Sequence, residues 1–531
     1  AAVLVACRRL GLTGVHDVVG GRLLGVVLYV ARHGAFRTEC VAWQGGWVTA
    51  VLMLILVLRQ GAITWFVIAN LGQESTANTD TTLGLGLSWL ALGPFLFLEL
   101  LIFGNLARLT VLTGWGQATA FFILLTAQLL GVLVLAWLFK RNGGAIRALF
   151  MGILGLLLLA ALVMPWPTGA GAALQLILGQ LLLALLMGVL LVAIGTRNGR
   201  SGLRHLTLGN GVGWLLLALF VFLYYAGYDI PLPFSNDLLF PLAALLIAIC
   251  GFFAARTLPQ TTAMPKRKWG WAILLILLLL VLPLLQFMDQ PTTAVVGDGY
   301  PVRVMTYNLH NGFDTMGHLG LEALAQVIEA ENPDVVGLQE INRGWVVNGS
   351  TDMLTWLSRR LDMPYVWQPT TGELWGNAIL SRLPLNEVDL QTLPPRNLLL
   401  GRGFIAATVN VGNGAQLSVI NTHFHHKEKD SLERTMQAQA VINYWGERPF
   451  TLIMGDLNAE SPTPEIEMIQ NQGFQPVLDL LRIQPGYTYP ANQPRQRLDH
   501  IFLTPDLLPV NAAIPTTTAS DHLPVVTDVT R

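Results

Sequence analysis

Charge is scarce in this chain of 531 residues: 12% are Asp, Glu, Lys or Arg, against 53% hydrophobic. A soluble protein carries roughly 25% charged residues, so much of this chain is not an ordinary water-facing surface. The few charges also balance, to a formal −1, which excludes the large basic face of a protein built to coat nucleic acid. Cysteine is nearly absent, at three residues (Cys7, Cys40 and Cys250), and this excludes a disulfide framework. The C-terminal half has none and has no His-x-x-x-His pair on a helix, which argues against a closed zinc site. No repeat of roughly 20–50 residues recurs there either. The chain opens on Ala1 rather than methionine, which we read as a trimmed or incomplete N-terminus.

The shortage of charge is uneven. Residues 1–290 are strings of Leu, Val, Ala, Ile, Phe and Gly, whereas 298–531 have the mixture of a soluble enzyme. Apolar runs of about 20 residues in a bilayer must be helices, because nothing else satisfies their backbone. Such runs fall at roughly 84–107, 117–139, 148–166, 171–195, 208–228, 237–255 and 270–288, with another at 46–72 interrupted by Arg59-Gln60. That predicts a polytopic domain of about eight to ten helices. Basic residues alternate from loop to loop: Lys140, Arg141 and Arg147, then Arg197, Arg200 and Arg204, then Arg256, Lys266, Arg267 and Lys268, with none at 165–170 or 226–237. Basic loops stay in the cytoplasm. The expectation is a multi-pass plasma-membrane protein whose C-terminal domain is extracytoplasmic. Glu99 and Arg59 lie within apolar runs, where a charge marks either a functional site or a structural pair. The glycines at 152, 155, 179 and 188 are expected to pack helices.

The expected organisation is a membrane domain over 1–288, a polar linker over 289–300 and an α/β domain over 301–531. In the last, strands are expected at Val302–Tyr307, Asp334–Gln339, Ala378–Ser381, Phe404–Val411, Leu417–Asn421, Thr451–Met454, His500–Leu503 and Val525–Val529. Helices are expected at Leu319–Glu331, stopped by Asn332-Pro333, and at Leu432–Trp445. Many strands with few helices suggest two packed β-sheets flanked by helices. Polar motifs close the strands: Asn308, Glu340, His423, and Asp456 with Asn458. Strands lying side by side would gather these carboxylates, amides and imidazoles in one crevice. Hard oxygen ligands of this kind suit Mg²⁺ or Mn²⁺.

In this order the motifs resemble those of the endonuclease/exonuclease/phosphatase superfamily, which is deoxyribonuclease I-like and includes neutral sphingomyelinases and inositol polyphosphate 5-phosphatases. The resemblance covers the whole C-terminal half. It implies a four-layer sandwich. Asn308 and Glu340 match the family's metal-site Asn and Glu, and His423 its strand-end Thr-His. Asp456 and Asn458 match Gly-Asp-Xaa-Asn, Asp499 the acid that orients the last histidine, and Asp521-His522 the terminal Ser-Asp-His. The implied chemistry is in-line displacement at phosphorus. Glu340, with Asn308 and Asp521, would hold a divalent ion. His522, oriented by Asp499, and Asp456 would activate water. Asn458 would bond a phosphate oxygen, and His423 would be an acid or a phosphate clamp. Asn377 contacts phosphate or caps a strand; Arg497 binds phosphate or pairs with a surface acid. His425, His426 and the 427–429 stretch read as solvated loop, and His310 and Asn311 as shaping the crevice.

The layout of many helices followed by this domain is similar to that of eukaryotic membrane proteins that remodel the lipid of GPI anchors. A short tether raises the effective concentration of lipid head groups. Membrane lipids are therefore the expected partners, and a phosphate ester on a lipid or glycolipid is the expected substrate. An extracellular nuclease is the alternative enzyme, with nucleic acid as its partner. A transporter or phospho-ligand sensor is the non-enzymatic alternative. No protein partner can be inferred.

Overall fold

The computed structural model of the protein describes residues 82–139, 144–164, 168–196, 203–256, 292–427 and 429–531. The expected spans at 46–72 and 270–288 lie outside the described residues, as do Arg59 and most of the basic loop residues. The chain divides into two compact units, one preceding residue 290 and one running from Gln290 to Arg531.

In the first unit the helices are α1 (Thr82–Leu90), α2 (Leu92–Leu98), α3 (Leu106–Thr113), α4 (Gln117–Phe139), α5 (Gly144–Val163), α6 (Ala170–Thr196), α7 (Leu203–Ala226) and α8 (Leu239–Arg256). By length and composition, five segments among the described residues could cross a membrane: Gly86–Thr113, Ile146–Val163, Ala170–Leu190, Leu208–Ala226 and Asn236–Arg256. A wide π-helical turn, Glu99–Phe103, follows α2. There the buried Glu99 carboxylate accepts from Gln128 Nε2 at 2.9 Å and Gln180 Nε2 at 3.1 Å, which ties α4 and α6 to the turn. Small residues set the helix spacing. A Cβ on Gly155 would lie 2.3 Å from Ala248 Cβ, and one on Gly179 would lie 2.1 Å from the Phe103 ring.

The second unit is built from two six-stranded sheets. The strands are β1 (Val302–Asn308), β2 (Val335–Asn342), β3 (Tyr365–Thr371), β4 (Trp375–Ser381), β5 (Leu385–Leu393), β6 (Arg402–Gly412), β7 (Ala415–His423), β8 (Thr451–Asp456), β9 (Gln475–Pro476), β10 (Asp499–Leu503), β11 (Leu508–Ala513) and β12 (Val525–Thr530). The first sheet runs β11-β12-β1-β2-β4-β3 and the second β5-β6-β7-β8-β10-β9. The helices are α9 (Leu321–Glu331), α10 (Met353–Leu361), α11 (Ser431–Trp445), α12 (Pro464–Asn471) and the short α13 (Val477–Leu480).

Alternation along the strands makes the layers. In β1, Val302 and Val304 join Ile405, Val419 and Met454 between the sheets. Met305 and Tyr307 point the other way, onto Leu324 and Ile328 of α9 and Leu354 and Leu357 of α10. Phe404, Ile420 and Ile453 likewise pack on Val441 of α11 and Ile466 of α12. The result is helix, sheet, sheet, helix: the two packed sheets flanked by helices that the sequence led us to expect. Strands β3, β5 and β11 and helices α10 and α12 add to the elements legible in the sequence.

Residues 292–300 are docked rather than free. Val295 N–H donates to Arg382 O at 2.7 Å and Gly299 N–H to Val411 O at 2.9 Å. Much of the stretch read as linker is therefore bonded along the α/β unit, because it satisfies backbone groups that the strand ends leave open.

A buried ion pair pins α10 to β2. Arg343 donates to Asp352 through Nε at 2.9 Å and Nη2 at 2.8 Å. Burial opposes ionisation of Asp352, yet Arg343 and Thr355 hold its carboxyl below the usual value. The pair's contribution is thus present above the ordinary carboxylate pKa of about 3.9 and is lost as pH falls through the depressed folded value. Asp352→Ala strands the guanidinium. It is expected to destabilise this unit by about 3–5 kcal/mol, read as an earlier thermal unfolding transition; a shift under about 0.5 kcal/mol would contradict this.

Candidate active site

Topology brings the sequence-distant motifs to one edge. Strands β1 and β2 are parallel, as are β7 and β8, so Asn308, Glu340, His423 and Asp456 all fall at or near C-terminal strand ends. Strand β10 is antiparallel to β8 and pairs Asp499 with Asp456. Strand β12 is antiparallel to β1 and pairs Val525 with Thr306, which sets Asp521 and His522 beside Asn308. Ser520 Oγ donates to Asn308 O at 2.8 Å and locks that junction. Beneath the edge, Gln339 Nε2 donates to Asn421 Oδ1 at 2.7 Å, and Asn421 Nδ2 donates to Ala378 O at 2.9 Å, joining the sheets. Gly337 leaves room for this clamp, since a Cβ there would meet Asn421 Oδ1 at 2.6 Å.

Glu340 does not follow its strand, as expected from sequence, but lies inside it. Between Leu338 and Ile341 of β2 the partner strand advances only from Ala378 to Gly376, so β2 carries one extra residue. This β-bulge re-aims the side chain. Glu340 takes φ 55°, in a region that a non-glycine residue enters at a cost and usually for function. Ile341 can then return to the outer core beside Leu338.

The polar groups converge. Asp456 Oδ2 accepts from Asn308 Nδ2 at 2.9 Å and lies 3.4 Å from His423 Nε2 and 3.7 Å from His522 Nε2. His522 Nδ1 is 2.8 Å from Asp499 Oδ2, and its ring meets that of Tyr489 at 4.7 Å. Asn458 Nδ2 is 3.0 Å from His423 Nε2. Glu340 Oε2 accepts from Asn311 Nδ2 at 2.9 Å. His310 Nδ1 stands 3.6 Å from Asp521 Oδ1.

Electrostatics separate the groups. Burial raises the Glu340 carboxyl, and the charge of Asp521 raises it further. Burial, with Asp499 adding to it, pushes Asp456 up to about 7. Burial works against a charged His522, but Asp499 and Asp456 overcome it and raise the imidazole to about 10. Burial and then Arg402 hold His423 well below the usual histidine value, so it stays neutral.

Some residues fall elsewhere. Arg497 pairs with Asp479 at 2.6 Å, the surface-acid reading. Asn377 Nδ2 donates to Gly403 O at 2.9 Å, and its Oδ1 is buried with no partner among the described residues. His425 is not a solvated loop residue as expected: it is buried, and its Nε2 lies 2.9 Å from Asp430, because the chain turns inward to meet α11. His426 and Lys427 are exposed.

Arg402 escaped the sequence reading. It is 2% exposed, and its guanidinium stands over the Trp375 ring at 5.3 Å. Nη1 lies 3.4 Å from His423 Nδ1 and Nη2 3.2 Å from His426 Nδ1. Burial lowers it to about 10, with Glu340 and Asp456 opposing. The available signal was Gly401-Arg402-Gly403. A Cβ on Gly401 would lie 2.2 Å from Thr370 O, and one on Gly403 2.6 Å from Gln368 Nε2, so the chain is squeezed where it presents the arginine.

The donor set fits a hard divalent cation. Glu340, Asp456, Asp499 and Asp521 face Arg402, His522 and His310 as counter-charges, and the buried Asp499 Oδ1 has no hydrogen-bond partner among the described residues. Ligand atoms of Asp456, Asp499 and His522 also lie within 4.8 Å of one another. The residues read from sequence as catalytic can therefore themselves enclose an ion.

A four-layer α/β domain with such an edge suits hydrolysis of a phosphate ester. Residues 305–522 match the Endonuclease/Exonuclease/phosphatase family. The chain accordingly carries a hydrolase domain of the metal-dependent kind that acts on phosphate ester bonds. Similar solved structures include an endonuclease/exonuclease/phosphatase from Beutenbergia cavernae, at 23% identity over 43% of this chain and 71% of that one, TM-score 0.35. Another is TDP2 from D. rerio complexed with a single-strand DNA product, at 22% identity over 43% and 99%, TM-score 0.36. A third is a mannosyl-6-phosphatase from Bacteroides thetaiotaomicron, at 18% identity over 43% and 100%, TM-score 0.37.

Proposed function

We propose that this chain is a membrane-anchored, Mg²⁺- or Mn²⁺-dependent phosphoesterase whose catalytic domain is extracytoplasmic and acts on a lipid or glycolipid head group. The observation that carries the reading is the acid-rich strand edge beside Arg402, in a chain whose described residues also include five apolar segments of membrane-crossing length.

Glu340, Asn308 and Asp521 would hold the ion, and a divalent ion there would supply polarisation of the phosphoryl oxygen. Asp456, at about 7, takes the proton of the attacking water near neutral pH. Asp499 keeps His522 as an imidazolium, which donates toward the phosphoryl group or the leaving oxygen. Arg402 supplies a buried positive charge suited to a non-bridging oxygen, and Asn458 supplies an amide. His423, neutral, spaces Arg402 from Asp456. Asn377 shapes the floor beside Gly403.

The alternation of basic loops, with one further span expected at 270–288, supports the outward orientation. A cysteine placed at exposed Lys427 should react with an impermeant maleimide on intact cells; protection until lysis would overturn the orientation. For substrate, the full chain in detergent micelles with Mg²⁺ is expected to release phosphate or a phosphorylated head group from phospholipid or glycolipid. It is expected to leave DNA intact. Preferential DNA cleavage that weakens steeply with salt would favour a nuclease instead.

A further inference from the structure

The Glu340 carboxylate accepts from the Asn311 amide, and Asn311 is itself held by several neighbours. Asn311 takes φ 57°. Its carbonyl accepts from Asn342 Nδ2 at 3.2 Å and from Asn348 Nδ2. Its side-chain Oδ1 accepts from Trp375 Nε1 at 2.7 Å, and its Nδ2 donates to Glu340 Oε2 at 2.9 Å. An indole N–H can only donate. The Asn311 amide is therefore oriented by chemistry, with oxygen toward Trp375 and nitrogen toward Glu340. Trp375 is 3% exposed. Its ring lies 6.0 Å from that of His423, 6.3 Å from that of Trp345 and 5.3 Å from the Arg402 guanidinium. One indole thus bonds the amide that holds Glu340 and packs against the Arg402 guanidinium.

We propose that Trp375 and Asn311 are positioning residues: the relay Trp375 Nε1–H to Asn311 to Glu340 Oε2 ties down one carboxylate oxygen and leaves the other for the metal, while the indole face fixes Arg402. The inference rests on the phosphoesterase reading. It follows from the strain of the site. Both Asn311 and Glu340 sit in left-handed backbone conformations, and such conformations persist only where the surroundings over-determine them. A partner that orients a metal-binding carboxylate is worth about 10–100-fold in metal affinity.

The test uses the full chain in detergent, with Mn²⁺ binding measured by electron paramagnetic resonance and thermal unfolding recorded alongside. Trp375→Phe keeps an aromatic face and removes the N–H donor together with part of the indole. It is expected to weaken Mn²⁺ binding about 10–100-fold while the chain still unfolds in a single cooperative transition above the assay temperature. Asn311→Ala is expected to weaken it at least as much. Should Asn311→Ala fail to fold, Trp375→Phe decides alone. Wild-type affinity in Trp375→Phe, with Glu340→Ala strongly impaired, would overturn the relay and leave the phosphoesterase reading standing. A wild-type chain that binds no Mn²⁺ would overturn both.

Discussion

Glu340→Ala is expected to lower kcat/KM by about 10²–10³-fold, because it removes the carboxylate best placed to hold the ion, and an ion polarising phosphorus is worth several kcal/mol. The local structure sharpens this expectation. Glu340 is delivered by a one-residue bulge in β2, at φ 55°, with Asn311 fixing one oxygen. A structural glutamate in a sheet needs none of that. The loss should appear as a raised Mg²⁺ requirement as well as a slower rate. Steady-state kinetics across a Mg²⁺ series measure both, and wild-type Mg²⁺ dependence in Glu340→Ala would remove the residue from the metal site.

Asp499→Asn is expected to cost about 10²–10⁴-fold, the range of a lost acid or base. Asp499 is fully buried, and its Oδ2 meets His522 Nδ1 at 2.8 Å. Among the groups that raise His522 to about 10, it is the foremost. Neutralising it lets the imidazole fall toward its ordinary value of about 6.5. The sign follows. In the wild type, His522 carries its proton below about pH 10, so activity that needs the imidazolium declines only on the alkaline side. In Asp499→Asn that decline moves to lower pH. The folded state is affected in the same sense: with the folded pKa above the unfolded one, the pair stabilises below about pH 6.5 and this is lost as pH rises through the folded value. A pH–rate profile of both proteins tests the claim, and an unmoved alkaline limb would contradict it.

How much of this was legible in the sequence depended on whether local pattern carried the information. Val302–Asn308, Ala415–His423 and Thr451–Asp456 are short buried strands with a polar terminus, and each was visible as an apolar run ending in its motif. Strand β5, with Asn386, Glu387, Asp389 and Gln391 on a sheet edge, and β11, mostly exposed, offer no such run. Helix α10 is nine residues long and carries Arg359 and Arg360 in its last turn, too short for periodicity to speak. The site's inventory was readable because each motif closes a strand. Its strain was not, since the Glu340 bulge exists only through pairing with β4. Arg402 was missed because nothing local marks an arginine as buried; its seat on Trp375 and beside His423 is made by three strands together. His425 was read as solvated because its partner, Asp430, closes over it only once α11 is in place.

The central claim is that Glu340, Asp456, Asp499 and His522 act together on a phosphate ester with a divalent ion. Its most direct test is hydrolysis of bis-p-nitrophenyl phosphate and p-nitrophenyl phosphate by the full chain in micelles, with Mg²⁺ or with EDTA, beside Glu340→Ala and His522→Ala. The account predicts Mg²⁺-dependent release of nitrophenolate from at least one ester, silenced by EDTA and nearly abolished in each variant. Hydrolysis that persists in both variants would contradict it.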